Sequence, residues 1–118
     1  MKSIIIGAGE VGSHLAKVLI SEKYDVIVID QSEEVCDNLS QTLDLMTISG
    51  SGTNPTVLKE AGINDASLLI AVTNSDEANI LACLIASRFG VSTKIARVAN
   101  NSSYFQNEEL LAPRDLGI

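Results

Sequence analysis

Tryptophan is absent from the chain, histidine occurs once, and aromatic residues amount to 3%. The apolar content comes instead from Ile, Leu, Val and Ala, the composition of buried sheet and helix. Cysteine is scarce: Cys36 and Cys83 stand far apart, each inside a helical pattern, so a disulfide framework or a metal clip has no support. They read as buried free thiols. Basic residues number 8 against 15 acidic ones, a net charge of −7, and the 8 are scattered. Neutralising phosphates takes clustered Lys and Arg, so a nucleic-acid binder is excluded, and the acidity mainly implies solubility. No stretch approaches the ~18 apolar residues of a spanning helix, and the few before Gly7 are too short for a signal-peptide core. The expectation is a cytoplasmic protein without direct membrane insertion. Linkers, low-complexity segments and charge runs are also missing, so residues 1–118 read as one domain. His14 has no visible titratable partner and reads as structural or exposed rather than catalytic.

What is present is an alternation of short apolar runs with longer amphipathic stretches. Lys2 to Gly7, Asp25 to Asp30, Leu45 to Ser49, Ala66 to Val72 and Thr93 to Val98 read as strands, several continuously apolar as in a sheet covered on both faces. Helix signals lie between them. Ser32 caps one helix with Glu33 and Glu34 in its first turn. Asn54-Pro55 opens another that stops at Gly62, and Ser75 or Asp76 opens a third that ends at Gly90. Five strands joined by helices give an α/β fold, a doubly wound parallel sheet with right-handed crossovers and expected strand order 3-2-1-4-5. Beyond Val98 the signal weakens, although Tyr104 to Leu111 has the pattern of a further helix.

Gly7-Ala8-Gly9-Glu10-Val11-Gly12 has the form GxGxxG, follows a buried strand and opens a helix. In that context the first glycine permits a tight turn, the second lets backbone approach a pyrophosphate, and the third lets helix and strand pack closely. N–H groups at the helix start then face an anion. This is the Rossmann-like arrangement. Asp30 closes the second strand about 20 residues on, where such folds hold a carboxylate against the adenosine ribose. Gln31 and Ser32 supply no arginine for a 2′-phosphate, so NADP is disfavoured. The alternative is that Asp30 caps the following helix. Gly50-Ser51-Gly52-Thr53 and Thr73-Asn74-Ser75-Asp76 follow strands three and four and reach the same crevice, although turn and cap chemistry accounts for each of these residues too. Arg97, near the end of strand five, can reach a phosphate or pair with a surface carboxylate.

The stretches "IIIGAGEVGSHLAKVL", "VIVID", "GSGTNPTVLKEAGINDASLLIAVTNSDEANILACLIA" and "KIARV" together resemble the TrkA N-terminal (RCK, KTN) nucleotide-binding domains, the regulators of bacterial Trk potassium uptake. The resemblance covers nearly the whole chain, and Gly50 to Ala86 is its most specific part. It implies half a dehydrogenase fold that binds NAD+ or NADH, or AMP, ADP or ATP, assembles as a homodimer or larger ring, and biases a membrane potassium transporter or channel subunit from the inner face of the membrane. Carried over by motif, the implied ligand contacts are Gly7, Gly9, Gly12, Asp30, Ser51 to Thr53 and Thr73. Many relatives carry an acidic or amide residue where this chain has Ser51. Relatives that favour ATP tend to carry a basic residue where this chain has Glu10. Relatives in general continue into a sixth strand, truncated or absent in these residues.

The rival reading is the cofactor half of an NAD-dependent oxidoreductase. Hydride transfer needs a substrate site and an acid or base, and neither is visible; the Tyr-x-x-x-Lys pair is also missing. The reading is therefore a regulatory binding module and not an enzyme. Its fourth helix, Ala78 to Ala86, is apolar on nearly every side apart from Asn79, more than one sheet face can cover, so another protomer is expected against it.

Overall fold

Five apolar segments become one parallel sheet in the computed structural model, whose described residues are 1–98. They are β1 (Lys2–Ile6), β2 (Asp25–Asp30), β3 (Met46–Ser49), β4 (Leu68–Ala71) and β5 (Thr93–Ala96), in the order β3-β2-β1-β4-β5 expected from the sequence. Between them run α1 (Glu10–Ser21), α2 (Glu33–Thr42), α3 (Pro55–Glu60) and α4 (Asp76–Arg88). A helix over Tyr104 to Leu111 and any sixth strand fall outside the described residues.

Alternation along the strands decides which helices each residue meets. Ile4, Ile6, Ile27, Ile29, Leu69 and Ala71 pack on one face with Leu58 and Ala61 from α3 and its end and with Ala82, Cys83 and Ala86 from α4. Ile5, Val26 and Val28 point the other way, onto Ala16 of α1 and Leu39 of α2. With about 25 cal/mol gained per Å² of apolar surface removed from water, two-sided burial of Ile- and Val-rich strands is the main stabilising term. Both cysteines are free and buried. The Cys36 thiol points at the carbonyls of Asp30 and Ile48, each 3.6 Å away.

The expected strand ends at Gly7, Val72 and Val98 move back to Ile6, Ala71 and Ala96. The ladder nonetheless extends one residue further, because Gly7, Val72 and Arg97 N–H groups donate to the carbonyls of Ile29, Ile6 and Ala71 at 2.8, 2.8 and 2.9 Å. Each loop thus starts from a fixed backbone position. The region before β4 also differs: a turn of 3-10 helix, Ile63–Asp65, delays the strand to Leu68. Gly62 at φ +85° starts that turn, and Ile63 anchors it in the core.

Ser32, Asn54 and Ser75 cap α2, α3 and α4 by accepting the N–H of Val35, Thr56 and Ala78 at 3.2, 2.9 and 3.1 Å. Pro55 occupies the first turn of α3, where its missing N–H costs nothing. In contrast, Gly9 precedes α1 with no side-chain cap.

α1 starts almost against the end of β1. A Cβ on Gly12 would stand 1.8 Å from the Gly7 carbonyl oxygen, whereas one on Gly9 would meet nothing within 4 Å. Gly12→Ala is therefore expected to lower unfolding stability by about 2 kcal/mol or more. Gly9→Ala should stay within roughly 0.5 kcal/mol of the parent. Urea titrations followed by circular dichroism check this, and equal midpoints for the two variants would contradict the close packing of α1 on β1.

Candidate functional site

Because α1 and α2 cover one face of the sheet and α3 and α4 the other, the connections leaving β1 and β4 separate at the carboxyl end and leave a crevice there. It encloses about 370 Å³, within the range of small-molecule sites. Of the residues expected from the sequence, Gly7, Gly9, Asp30, Gln31, Ser51, Gly52, Thr53, Thr73 and Asn74 form its wall. Four others do not. Gly12 is buried against the Gly7 carbonyl, Glu10 and Val11 lie exposed in the first turn of α1, and the Arg97 residue is exposed past β5. The sequence reading missed Ile6, Ile29, Val72 and Ala78, whereas Gly50 and Ser75 lie in the two segments it placed along the crevice. Ile6 ends β1 and Ile29 precedes the last residue of β2, so strand ends were the available signal.

The glycine loop faces this space with backbone. Gly9 lines it, and among the described residues nothing fills the volume a Cβ would take there and no side chain caps the first-turn N–H groups of α1. Those amides and the positive end of the α1 dipole suit an anion. Among the described residues, no Lys or Arg lines the wall.

Asp30 stands across from the loop with both carboxylate oxygens engaged. One accepts the Ala8 N–H at 2.8 Å and the other the Ser32 N–H at 2.8 Å. It is not the cap of α2, a role held by Ser32. The carboxylate thus ties the glycine loop to the start of α2, and with about four acceptor positions it keeps capacity for hydroxyl donors. On the β3 side, the Ser51 and Thr53 hydroxyls pair at 2.8 Å, and Ser51 Oγ also accepts the Thr53 N–H.

On the β4 side the structure differs from the sequence reading in kind. Thr73, expected as a contact residue, directs its polar groups inward. Its N–H and its hydroxyl both donate to Asn79 Oδ1, at 2.9 and 2.7 Å, and its carbonyl accepts from Asn79 Nδ2 at 3.1 Å. Asn79 is completely buried, and its Nδ2 also donates to the Arg97 carbonyl at 2.9 Å. The one available signal was an amide interrupting an apolar helix. Among the described residues, no group of three or more His, Cys, Asp or Glu could hold a metal, and no helix is long and apolar enough to cross a membrane.

Known proteins share this fold. The Kef CTD of Shewanella denitrificans in AMP-bound form superposes with a TM-score of 0.77 at 22% identity, over 93% of this chain and 67% of that one. The TrkA-N domain of the Escherichia coli inner membrane protein ybaL gives 0.62 at 19% identity, over 94% and 96%. These likenesses concern the fold. In sequence, the Trk system potassium uptake protein TrkA of Halomonas elongata is 45% identical over 113 residues, which are 95% of this chain and 24% of that protein. The TrkA homolog of Methanothermobacter thermautotrophicus is 41% identical over 100 residues, 85% of this chain and 46% of that one. The chain thus spans about a quarter to a half of the length of these relatives. The TrkA-N domain model matches residues 3–115, from the start of β1 through all five strands and beyond, and on that match the chain belongs to the TrkA-N family.

Proposed function

We propose that the crevice binds an adenine nucleotide, with NAD+ or NADH preferred to NADP(H) and to ATP, and that the chain is the ligand-sensing domain of a potassium uptake system rather than an enzyme. The observation that carries the reading is the pairing of a backbone-lined glycine loop with the Asp30 carboxylate across one cavity. The loop offers N–H groups and open space at Gly9 to a pyrophosphate, and Asp30 offers acceptor positions to a ribose diol. The same carboxylate repels a 2′-phosphate. AMP and ADP present the same adenosine and phosphate groups and are the competing ligands.

Support for the biological setting comes from the relatives, named as Trk system potassium uptake proteins and 41–45% identical to this chain. The partner would be a membrane potassium transporter or channel subunit, which would hold this domain at the inner face of the membrane. Residues 1–118 would act there as one domain, as a homodimer or larger ring. In α4, Leu81 is 46% exposed, and Ile95 on the edge strand β5 is 48% exposed. Apolar groups left outward beside a sheet edge favour a second protomer.

Three outcomes test this reading. In calorimetry, NAD+ should bind more tightly than NADP+, and Asp30→Ala should weaken NAD+ by about 1.5–3 kcal/mol, the scale of hydrogen bonds to a charged group. Equal affinities of the parent for the two dinucleotides would remove the ribose role from Asp30. For Glu10, whose carboxylate lies in the first turn of α1, replacement by Arg should raise ATP affinity in metal-free buffer and narrow the margin of NAD+. A parent that already prefers ATP would contradict the argument. Finally, Leu81→Asp should shift the assembly toward monomer in light scattering at high micromolar concentration, and a monomeric parent would refute the protomer contact.

A further inference from the structure

Asn79 is the least expected residue near the crevice. A primary amide inside an apolar helix is costly to bury unless its donors and acceptor are matched. Here they are matched completely. Oδ1 takes the N–H and hydroxyl of Thr73, and Nδ2 gives one bond to the Thr73 carbonyl and one to the Arg97 carbonyl. Three of the four bonds therefore fix one residue, Thr73, which forms crevice wall together with Asn74 and Ser75. The fourth reaches a different strand exit. Arg97 is itself anchored, because its N–H donates to the Ala71 carbonyl at 2.9 Å.

We infer that Asn79 is a positioning residue for the nucleotide crevice: its side chain sets the height of the Thr73–Ser75 lip and joins that lip to the backbone where β5 ends. The inference rests on the proposed nucleotide reading. Thr73 has its N–H and carbonyl bound to Asn79 and its hydroxyl 2.7 Å from Asn79 Oδ1, with the Ser75 carbonyl a second acceptor at 3.2 Å, so its part in recognition is to shape the wall, and Asn79 makes most of the bonds that hold the shape. The hydroxyl oxygen is also taken up locally, since it accepts the Ser75 N–H at 3.1 Å. Any ligand that presses on the lip moves Thr73, and Thr73 cannot move without changing the hydrogen bonds that Asn79 shares with Arg97. The lip and the end of β5 thus respond as one body. A purely structural role predicts lost stability alone, whereas a positioning role predicts altered binding and a response carried to the peptide unit of Arg97.

The test is a titration of the ¹⁵N-labelled 118-residue chain with NAD+ and, separately, AMP, read by nuclear magnetic resonance. Gly9 and Gln31 amides report occupancy from the loop and β2 sides of the crevice. The Asn79 side-chain NH₂ reports the lip, and the Val98 amide shares its peptide unit with the Arg97 carbonyl. In the parent, all four signals should shift along one saturation curve. Asn79→Ala should weaken binding about fivefold or more, with Gly9 still shifting at saturation and Val98 no longer following. Should that variant not fold, the parent alone decides, through the Asn79 NH₂. The inference is overturned if Gly9 and Gln31 saturate while the Asn79 NH₂ stays still, or if folded Asn79→Ala binds as the parent does. If Gly9 and Gln31 do not move with millimolar nucleotide, the nucleotide reading has failed, and the positioning role falls with it.

Discussion

The contact between Gly12 and the carbonyl of Gly7 is the constraint on which the rest of the arrangement depends. It lets α1 begin close against β1, so that the loop between them, Gly7-Ala8-Gly9, carries no side chain larger than the buried methyl of Ala8. From that follow the direction of the α1 amides, the open space at Gly9 and the closeness of Ala8 to Asp30. Any side chain at position 12 would push α1 away from β1 and carry those donors with it. The architecture of the site is therefore set by a steric condition, and its polar groups act within limits that packing imposes.

Asp30 and Asn79 solve matching problems on the two sides of β1. Both are polar groups near the carboxyl end of the sheet, one at the end of β2 and one in α4, and both hold loop backbone. Asp30 fixes the glycine loop to the start of α2 through two N–H donors, and Asn79 fixes the β4 exit to the β5 exit through donors and acceptors together. The difference in chemistry is informative. A carboxylate accepts only, so it suits a place where two amides converge and further donors can arrive from a ligand. An amide both accepts and donates, so it can close a network completely, as the buried Asn79 does.

Much of this was legible in the residues. The five apolar runs, the caps at Ser32, Asn54 and Ser75, and the glycine spacing each report a local physical requirement, and local requirements survive without knowledge of the fold. The parallel sheet followed from the alternation of strands and helices, and the doubly wound order expected for it is the one observed. What was not legible depends on direction and distance. A polar Thr73 at a strand end looks the same whether its hydroxyl faces ligand space or a helix residue six positions later, and here it faces Asn79. Arg97 is tied by its backbone carbonyl to Asn79 behind the lip, yet it is exposed and not among the described wall residues, which its position at the end of β5 does not reveal. The 3-10 turn at Ile63–Asp65 escaped because its cause is the left-handed Gly62 together with a core anchor, and only the second reads as apolar in the sequence.

The two buried thiols lie under different halves of the sheet end. Cys36 sits beneath the seam of β2 and β3, and Cys83 lies in α4 over the β4 side. Burial raises the pKa of both, that of Cys83 to about 11. Thiolate is the reactive form, so alkylation of the closed protein at neutral pH is slow, and the observed rate becomes a measure of how often each half opens. The chain thus carries two native reporters of local opening, one on each side of β1, without any added label. Comparing their rates separates fraying of the β3 edge from loosening of α4, a distinction that a single global melting curve averages away.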